Sequence, residues 1–137
     1  MNLLDTDSLS LLLTGHERLV QRVGQAEQVA ITIVTRIEIL QGRFASILKA
    51  ADGARLLQAQ HWLSENERYL ANWDVLRFDE AAIAEFDRLR ALRRLKKIGR
   101  ADLLIASISL SRRATLITRN LRHFSQVPGL RLENWAD

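Results

Sequence analysis

The chain contains no cysteine, which removes a disulfide framework, a thiolate-bound zinc and a nucleophilic thiol from consideration. A reducing cytosol suits such a composition, so the expected compartment is cytoplasmic. No apolar stretch approaches the roughly 20 residues needed to cross a bilayer, and a membrane-spanning role is not expected. The opening MNLLDTDSLSLLL lacks a basic leader and a small-residue cleavage site, and Asp5 and Asp7 interrupt its apolar run. It therefore reads as a first strand rather than a targeting segment. With neither a Walker A loop nor GxGxxG, a nucleotide cofactor has no support. Proline occurs once, at Pro128, and no linker, repeat or low-complexity tract is visible, so residues 1–137 are expected to form one domain.

What is present fits an ordinary globular protein. The chain has 137 residues, 47% hydrophobic and 26% charged, enough to bury a core without a staple. Its net charge of +4 is modest but unevenly placed. Residues 88–122 hold eleven Lys or Arg against one acid, Asp102, leaving nine basic and fifteen acidic residues elsewhere. Within that stretch Arg90, Arg93, Arg94 and Lys97 fall at i, i+3, i+4 and i+7, a spacing that places them on one helical face. Such a face is either simply solvated or steers a polyanion. Arg93, Arg94, Lys97, Arg119 and Arg122 are accordingly the candidates for contact with a nucleic-acid backbone.

Short apolar runs at Asn2–Leu4, Val29–Val34, Val75–Phe78 and Ala114–Ile117 have the length of buried strands, and Leu130–Leu132 is a last one after the Val127-Pro128-Gly129 turn. Between them, helical periodicity covers Ile37–Phe44, Ala54–Asn72, Glu80–Leu95 and Leu103–Arg112. Asp52-Gly53 and Ile98-Gly99 read as local turns. Alternating strand and helix predicts an α/β fold, with a mostly parallel sheet flanked by helices on both faces. In such sheets the functional crevice lies beyond the carboxyl ends of the strands.

Three acids stand out by that rule. Asp5 follows the first strand directly; its ordinary role would be to cap a helix, for which Thr6, Asp7 and Ser8 are also suited. Glu38 follows the second strand, where Thr35-Arg36-Ile37-Glu38 matches a capping box, yet its apolar neighbours Ile37 and Ile39 would make an unpartnered carboxylate costly. Asp102 opens a segment apolar nearly all round, as an N-cap, as a partner of Arg100, or as something more. Three carboxylates gathered from distant parts of the chain would repel one another without a cation. Mg²⁺ or Mn²⁺, hard ions that prefer oxygen ligands, would resolve the conflict.

These residues resemble a known family. Leu3-Leu4-Asp5-Thr6-Asp7, the Thr32–Ile39 segment carrying Glu38, and Gly99-Arg100-Ala101-Asp102-Leu103-Leu104-Ile105-Ala106 are similar to three motifs of PIN-domain proteins. Thr118-Arg119-Asn120-Leu121-Arg122-His123-Phe124, then Val127–Leu130 and Glu133-Asn134-Trp135, resemble the ending of the VapC type of toxin. The resemblance covers the whole chain. It implies a Rossmann-like PIN fold, Mg²⁺- or Mn²⁺-dependent cleavage of RNA, a homodimer, and inhibition by a small cognate antitoxin. On that basis Asp5 and Asp102 are the expected metal ligands, with Glu38 as the third catalytic acid. Thr118, Asn120 and Asp7 are expected to contact substrate or to support the ligands, although capping is the simpler role for Asp7. The chain departs from the pattern at His123, where many relatives carry Asp or Glu; a second metal would then bind weakly or use Asn120, and His123 is read as a surface residue.

Two other functions remain open. Asp5-Thr6-Asp7 also fits the nucleophile motif of a haloacid-dehalogenase-type phosphatase, but no acid lies between Asp102 and Glu133 to supply that family's late paired acids. A degenerate PIN domain that binds RNA or a partner without cutting is the non-enzymatic alternative. Leu9, Leu11, Leu12 and Leu13 would line an antitoxin groove or belong to the core. His16 and His61 read as surface residues, and Trp62, Tyr69 and Trp73 as core or interface.

Overall fold

The computed structural model describes all 137 residues. Its elements, in chain order, are β1 (Asn2–Leu4), α1 (Thr6–Leu13), α2 (Glu17–Gln25), β2 (Val29–Thr32), α3 (Ile33–Lys49), α4 (Gly53–Leu70), β3 (Val75–Leu76), α5 (Glu80–Arg90), a 3₁₀ turn at Arg93–Leu95, α6 (Arg100–Ser111), β4 (Thr115–Ile117), α7 (Leu121–Phe124) and β5 (Arg131–Glu133). The five strands form one sheet in the order β3-β2-β1-β4-β5, and every pairing is parallel. This is the α/β architecture that the alternating pattern predicts.

Strand alternation sorts the core. Leu3 pairs in register with Ala30 and with Leu116, and all three enter a cluster with Ile105, Ile108 and Phe124 on the α5–α6 side. The next residue of each strand, Leu4, Ile31 and Ile117, turns to the other face and packs with Leu9, Leu12, Leu19 and Leu70, as a period of two requires. Leu9 and Leu12 are thus core residues, whereas Leu13 is only partly buried.

Several boundaries differ from the sequence expectation. Val29–Val34 does not stay extended: β2 stops at Thr32, whose hydroxyl accepts a hydrogen bond from the Thr35 N–H at 3.2 Å and so starts α3 at Ile33. The β-branched Ile33 and Val34 look strand-like but are spent in the first helical turn. The expected helix over Glu80–Leu95 ends at Arg90, and Leu92 is extended before the 3₁₀ turn. That break brings both Leu95 and Ile98 into the core. It also dissolves the basic helical face: Arg90 ends α5, Arg93 and Arg94 occupy the turn, and Lys97 lies beyond it. The polar helix α2 and the short α7 were not expected. Only Leu19 of α2 is buried, too sparse a pattern to read as a helix face. Gly129, at φ +80°, closes the expected turn after Pro128 in a conformation that suits glycine.

Leu116 is fully buried at the centre of the sheet, while Leu57 on α4 is 68% exposed. Leu116→Ala is expected to lower the unfolding free energy by about 2–5 kcal/mol, and Leu57→Ala to change it by less than about 0.5 kcal/mol. Urea denaturation followed by circular dichroism measures both.

Candidate active site

β2 and β4 lie on opposite sides of β1, so the chain order reverses there and a crevice opens beyond the strand ends. A cavity of about 720 Å³ occupies that place, lined by Asp5, Thr6, Asp7, Glu38, Asp102 and Asn120, with Arg43 and Arg119 also in its walls. The three acids singled out above therefore share one cleft.

Asp5 is both a cap and a wall of the cleft. Its Oδ1 accepts the Ser8 N–H at 2.8 Å, starting α1. Its own N–H donates to the Ile117 carbonyl at 3.0 Å, and the Ser8 hydroxyl donates to that same carbonyl at 3.1 Å. The end of β1 is thereby tied to the end of β4. The side chain has little contact with water, Asp5 being 6% exposed. Burial pushes its carboxyl above the usual value of 3.8, hydrogen bonds from Thr118 and Ser8 pull it back, and the nearby Asp7 charge adds to the rise.

Glu38 sits in the second turn of α3, because Thr32 and not Thr35 is the cap; the capping-box reading is corrected accordingly. Nor is its setting apolar. Ile37 is 47% exposed while Ile39 is buried, and Glu38, half-buried between them, accepts a hydrogen bond from the Thr6 hydroxyl at 2.5 Å. The Thr35 hydroxyl lies 3.2 Å from the same Thr6 oxygen. Thr6, read from sequence only as a capping residue, is thus the group that holds Glu38.

Asp102 is the third residue of α6, not its N-cap, which is Gly99. The expected pairing with Arg100 does not form; that guanidinium lies over Phe86, 5.0 Å from the ring centroid. Instead His123 Nε2 lies 3.1 Å from Asp102 Oδ2, and with a carboxylate as acceptor the imidazole supplies the N–H. His123 is therefore a partly buried partner of Asp102 and not the surface residue expected.

Thr118 is fully buried behind Asp5 and accepts the Asn120 N–H at 3.0 Å, leaving the Asn120 side chain at the cleft. Asp7 is exposed at the rim and caps nothing, since Asp5 has that role. Of the basic candidates only Arg119 lines the cleft; Arg93, Arg94, Lys97 and Arg122 lie outside it. Arg43 lines it as well and was missed, because what positions it comes from α4, far along the chain. Trp62 and Tyr69 are exposed, not core. His16 caps α2 through Nδ1, and His61 is an exposed partner of Glu65.

An all-oxygen donor set with one buried carboxylate suits a hard divalent cation. In this arrangement no three acidic or histidine side chains are gathered tightly enough to hold an ion. Asp102 spends one oxygen on His123 and Glu38 one on Thr6, so ligation requires side-chain adjustment rather than a new fold.

The family profile described as PIN domain matches residues 3–130. The chain belongs to the PIN-domain family. Among PIN-domain relatives, the tRNA(fMet)-specific endonuclease VapC of Shigella flexneri is 30% identical over 111 residues, 80% of this chain and 76% of that protein. The tRNA(fMet)-specific endonuclease VapC of Salmonella typhimurium is 28% identical over the same shares. Of solved structures, DNA-bound VapBC from Salmonella typhimurium matches with a TM-score of 0.82 at 26% identity, covering 98% of this chain and 97% of that one. VapBC2 from Rickettsia felis, bound to a promoter fragment, matches with a TM-score of 0.78 at 25% identity, covering 98% of each chain. A PIN domain leaves the haloacid-dehalogenase alternative without support.

A raised carboxyl pKa in the folded state means that ionised Asp5 opposes folding, and does so increasingly as pH rises from 3.8 through its folded value. Asp5→Asn keeps a good cap without the charge. In the metal-free protein it is expected to melt above the wild type at pH 7, with the gap closing as the pH is lowered toward 3.8. Thermal unfolding at a series of pH values tests this, and a gap that widens on acidification contradicts it.

Proposed function

We propose that this PIN domain is a metal-dependent endoribonuclease of the VapC toxin type, held in check by a small cognate antitoxin. The observation that carries the reading is the meeting of Asp5, Glu38 and Asp102 in one cleft, with Asp5 buried at its floor. The endonuclease names of the relatives support the reaction class, and the VapBC composition of the structural neighbours supports the partner. No helix is long and apolar enough to cross a membrane, which agrees with a cytoplasmic substrate.

Asp5 and Asp102 are assigned as the ligands of Mg²⁺ or Mn²⁺. When bound, such an ion supplies a nucleophile at neutral pH and neutralises charge on the phosphoryl oxygens. Glu38, held by Thr6, orients the attacking water and accepts its proton. Thr118 steadies Asp5, and Asn120 and Asp7 face the substrate at the rim. In-line attack by water leaves 5′-phosphate and 3′-hydroxyl ends. His123 takes the place of an acid and holds Asp102, so the site is read as binding one metal firmly; restoring the acid with His123→Asp should tighten binding of a second. The partly buried Leu13 and the exposed Val20 and Tyr69 border a separate cavity of about 700 Å³ between α1, α2 and α4. That groove is where an amphipathic antitoxin segment is proposed to lie, and the protein is read as a homodimer.

Cleavage of RNA should vanish with EDTA and return with Mg²⁺ or Mn²⁺. Asp5→Asn, Glu38→Gln and Asp102→Asn are each expected to lower kcat by about 10²–10⁴-fold, whereas His123→Ala should cost about tenfold. A Glu38→Gln or Asp102→Asn protein that cuts RNA at the wild-type rate in limiting Mg²⁺ would exclude the assignment. EDTA-resistant binding of RNA without any cleavage would favour the degenerate, non-catalytic alternative.

A further inference from the structure

Two arginines line the carboxylate-bearing cleft, and only one of them has an anion of its own. Arg119 is answered by Asp137, to whose two carboxylate oxygens its Nε and Nη2 donate at 3.2 Å each. Arg43 takes part in none of the ion pairs of the molecule. Neutral groups hold it instead. Its Nε donates to Asn66 Oδ1 at 2.6 Å, and its guanidinium carbon lies 4.7 Å from the centroid of the Trp62 ring.

Both partners belong to α4, while Arg43 belongs to α3, so the helical hairpin fixes this side chain from the opposite arm. Ordering a long side chain costs conformational entropy, and an arginine stacked on one face and bound at Nε keeps its Nη groups as unspent donors. Gly42 lines the cleft beside it, with nothing within 4 Å of where a Cβ would stand, so the approach is open. The acids of the cleft would repel a polyanion, and a fixed, unpaired cation in the same wall offsets that. Glu38 and Arg43 are five residues apart on one helix, about 7.5 Å along its axis, so the guanidinium is set away from the hydrolytic water.

We propose that Arg43 is a substrate-positioning residue that grips a phosphate flanking the scissile one in single-stranded RNA, preset for that contact by Asn66 and Trp62. This rests on the ribonuclease reading above. A planar fork of donors is suited to phosphate oxygens, and splayed single strands present such phosphates without a duplex groove to enter.

The test is steady-state cleavage of a short single-stranded RNA with Mg²⁺ over a range of salt, for wild type, Arg43→Ala, Arg43→Lys and Asn66→Ala, with circular dichroism melts confirming the fold. Arg43→Ala is expected to raise KM about tenfold with kcat changed less than about twofold, and to flatten the dependence of log KM on log salt by about 0.7. Arg43→Lys should keep the salt slope yet still raise KM, because charge remains and the fork is lost. Asn66→Ala should raise KM less than Arg43→Ala does, with the slope intact. Unchanged KM and slope in Arg43→Ala overturn the inference, as does a loss confined to kcat. Weakened capture of the antitoxin with RNA kinetics untouched would also overturn it, by assigning the guanidinium to the inhibitor. A wild type that cuts no RNA overturns the ribonuclease reading and this inference with it.

Discussion

A carboxylate withdrawn from water at the end of the central strand is the constraint around which the rest is arranged. A buried charge is tolerated only with partners, and those of Asp5 are structural: the Ser8 N–H opening α1 and the hydroxyl-bearing Thr118 after β4. The same interactions that make burial bearable join β1, α1 and β4 at one point. Fold and candidate chemistry are therefore not separable there. The residue that starts a helix is also the one that faces the cleft, and hydrogen bonds still leave its carboxyl pushed upward, a tension that a bound cation would relieve.

The cleft is acidic although the protein is basic. Asp5, Asp7, Glu38 and Asp102 line it against Arg43 and Arg119, and Arg119 is already engaged by Asp137. The cationic run over residues 88–122 contributes little to the cleft wall. Arg93, Arg94 and Lys97 are exposed elsewhere, so their effect on a polyanion is a field acting at a distance rather than direct grip. Concentrating acids where a cation is wanted and bases where approach is wanted gives the molecule its marked charge asymmetry.

Much of this was legible from sequence because it rests on local grammar. Strands that end in an acid announce Asp5, a lone acid in a basic stretch announces Asp102, and alternating elements announce the parallel sheet. What escaped depends on tertiary choice. Thr32 and Thr35 are both competent caps, and only the length of β2 against β3 decides between them, which moved Glu38 into the body of α3. The helical spacing of Arg90 to Lys97 is real in the sequence, but core positions for Leu95 and Ile98 outweighed helix continuation. His123 meets Asp102 across 21 residues, and Arg43 meets Asn66 across 23. No pattern in a single sequence marks either meeting.

The register of the sheet also bears on how the protein is made. β1 is flanked on one side by β2, some 26 residues later, and on the other by β4, more than 110 residues later. Asp5 cannot acquire its Ile117 and Thr118 contacts until nearly the entire chain has left the ribosome. A nascent or truncated polypeptide lacking β4 holds its carboxylates on unconnected pieces and has no cleft. A protein built this way is inert throughout its own synthesis, and the hazard its chemistry would pose begins only when translation is almost complete.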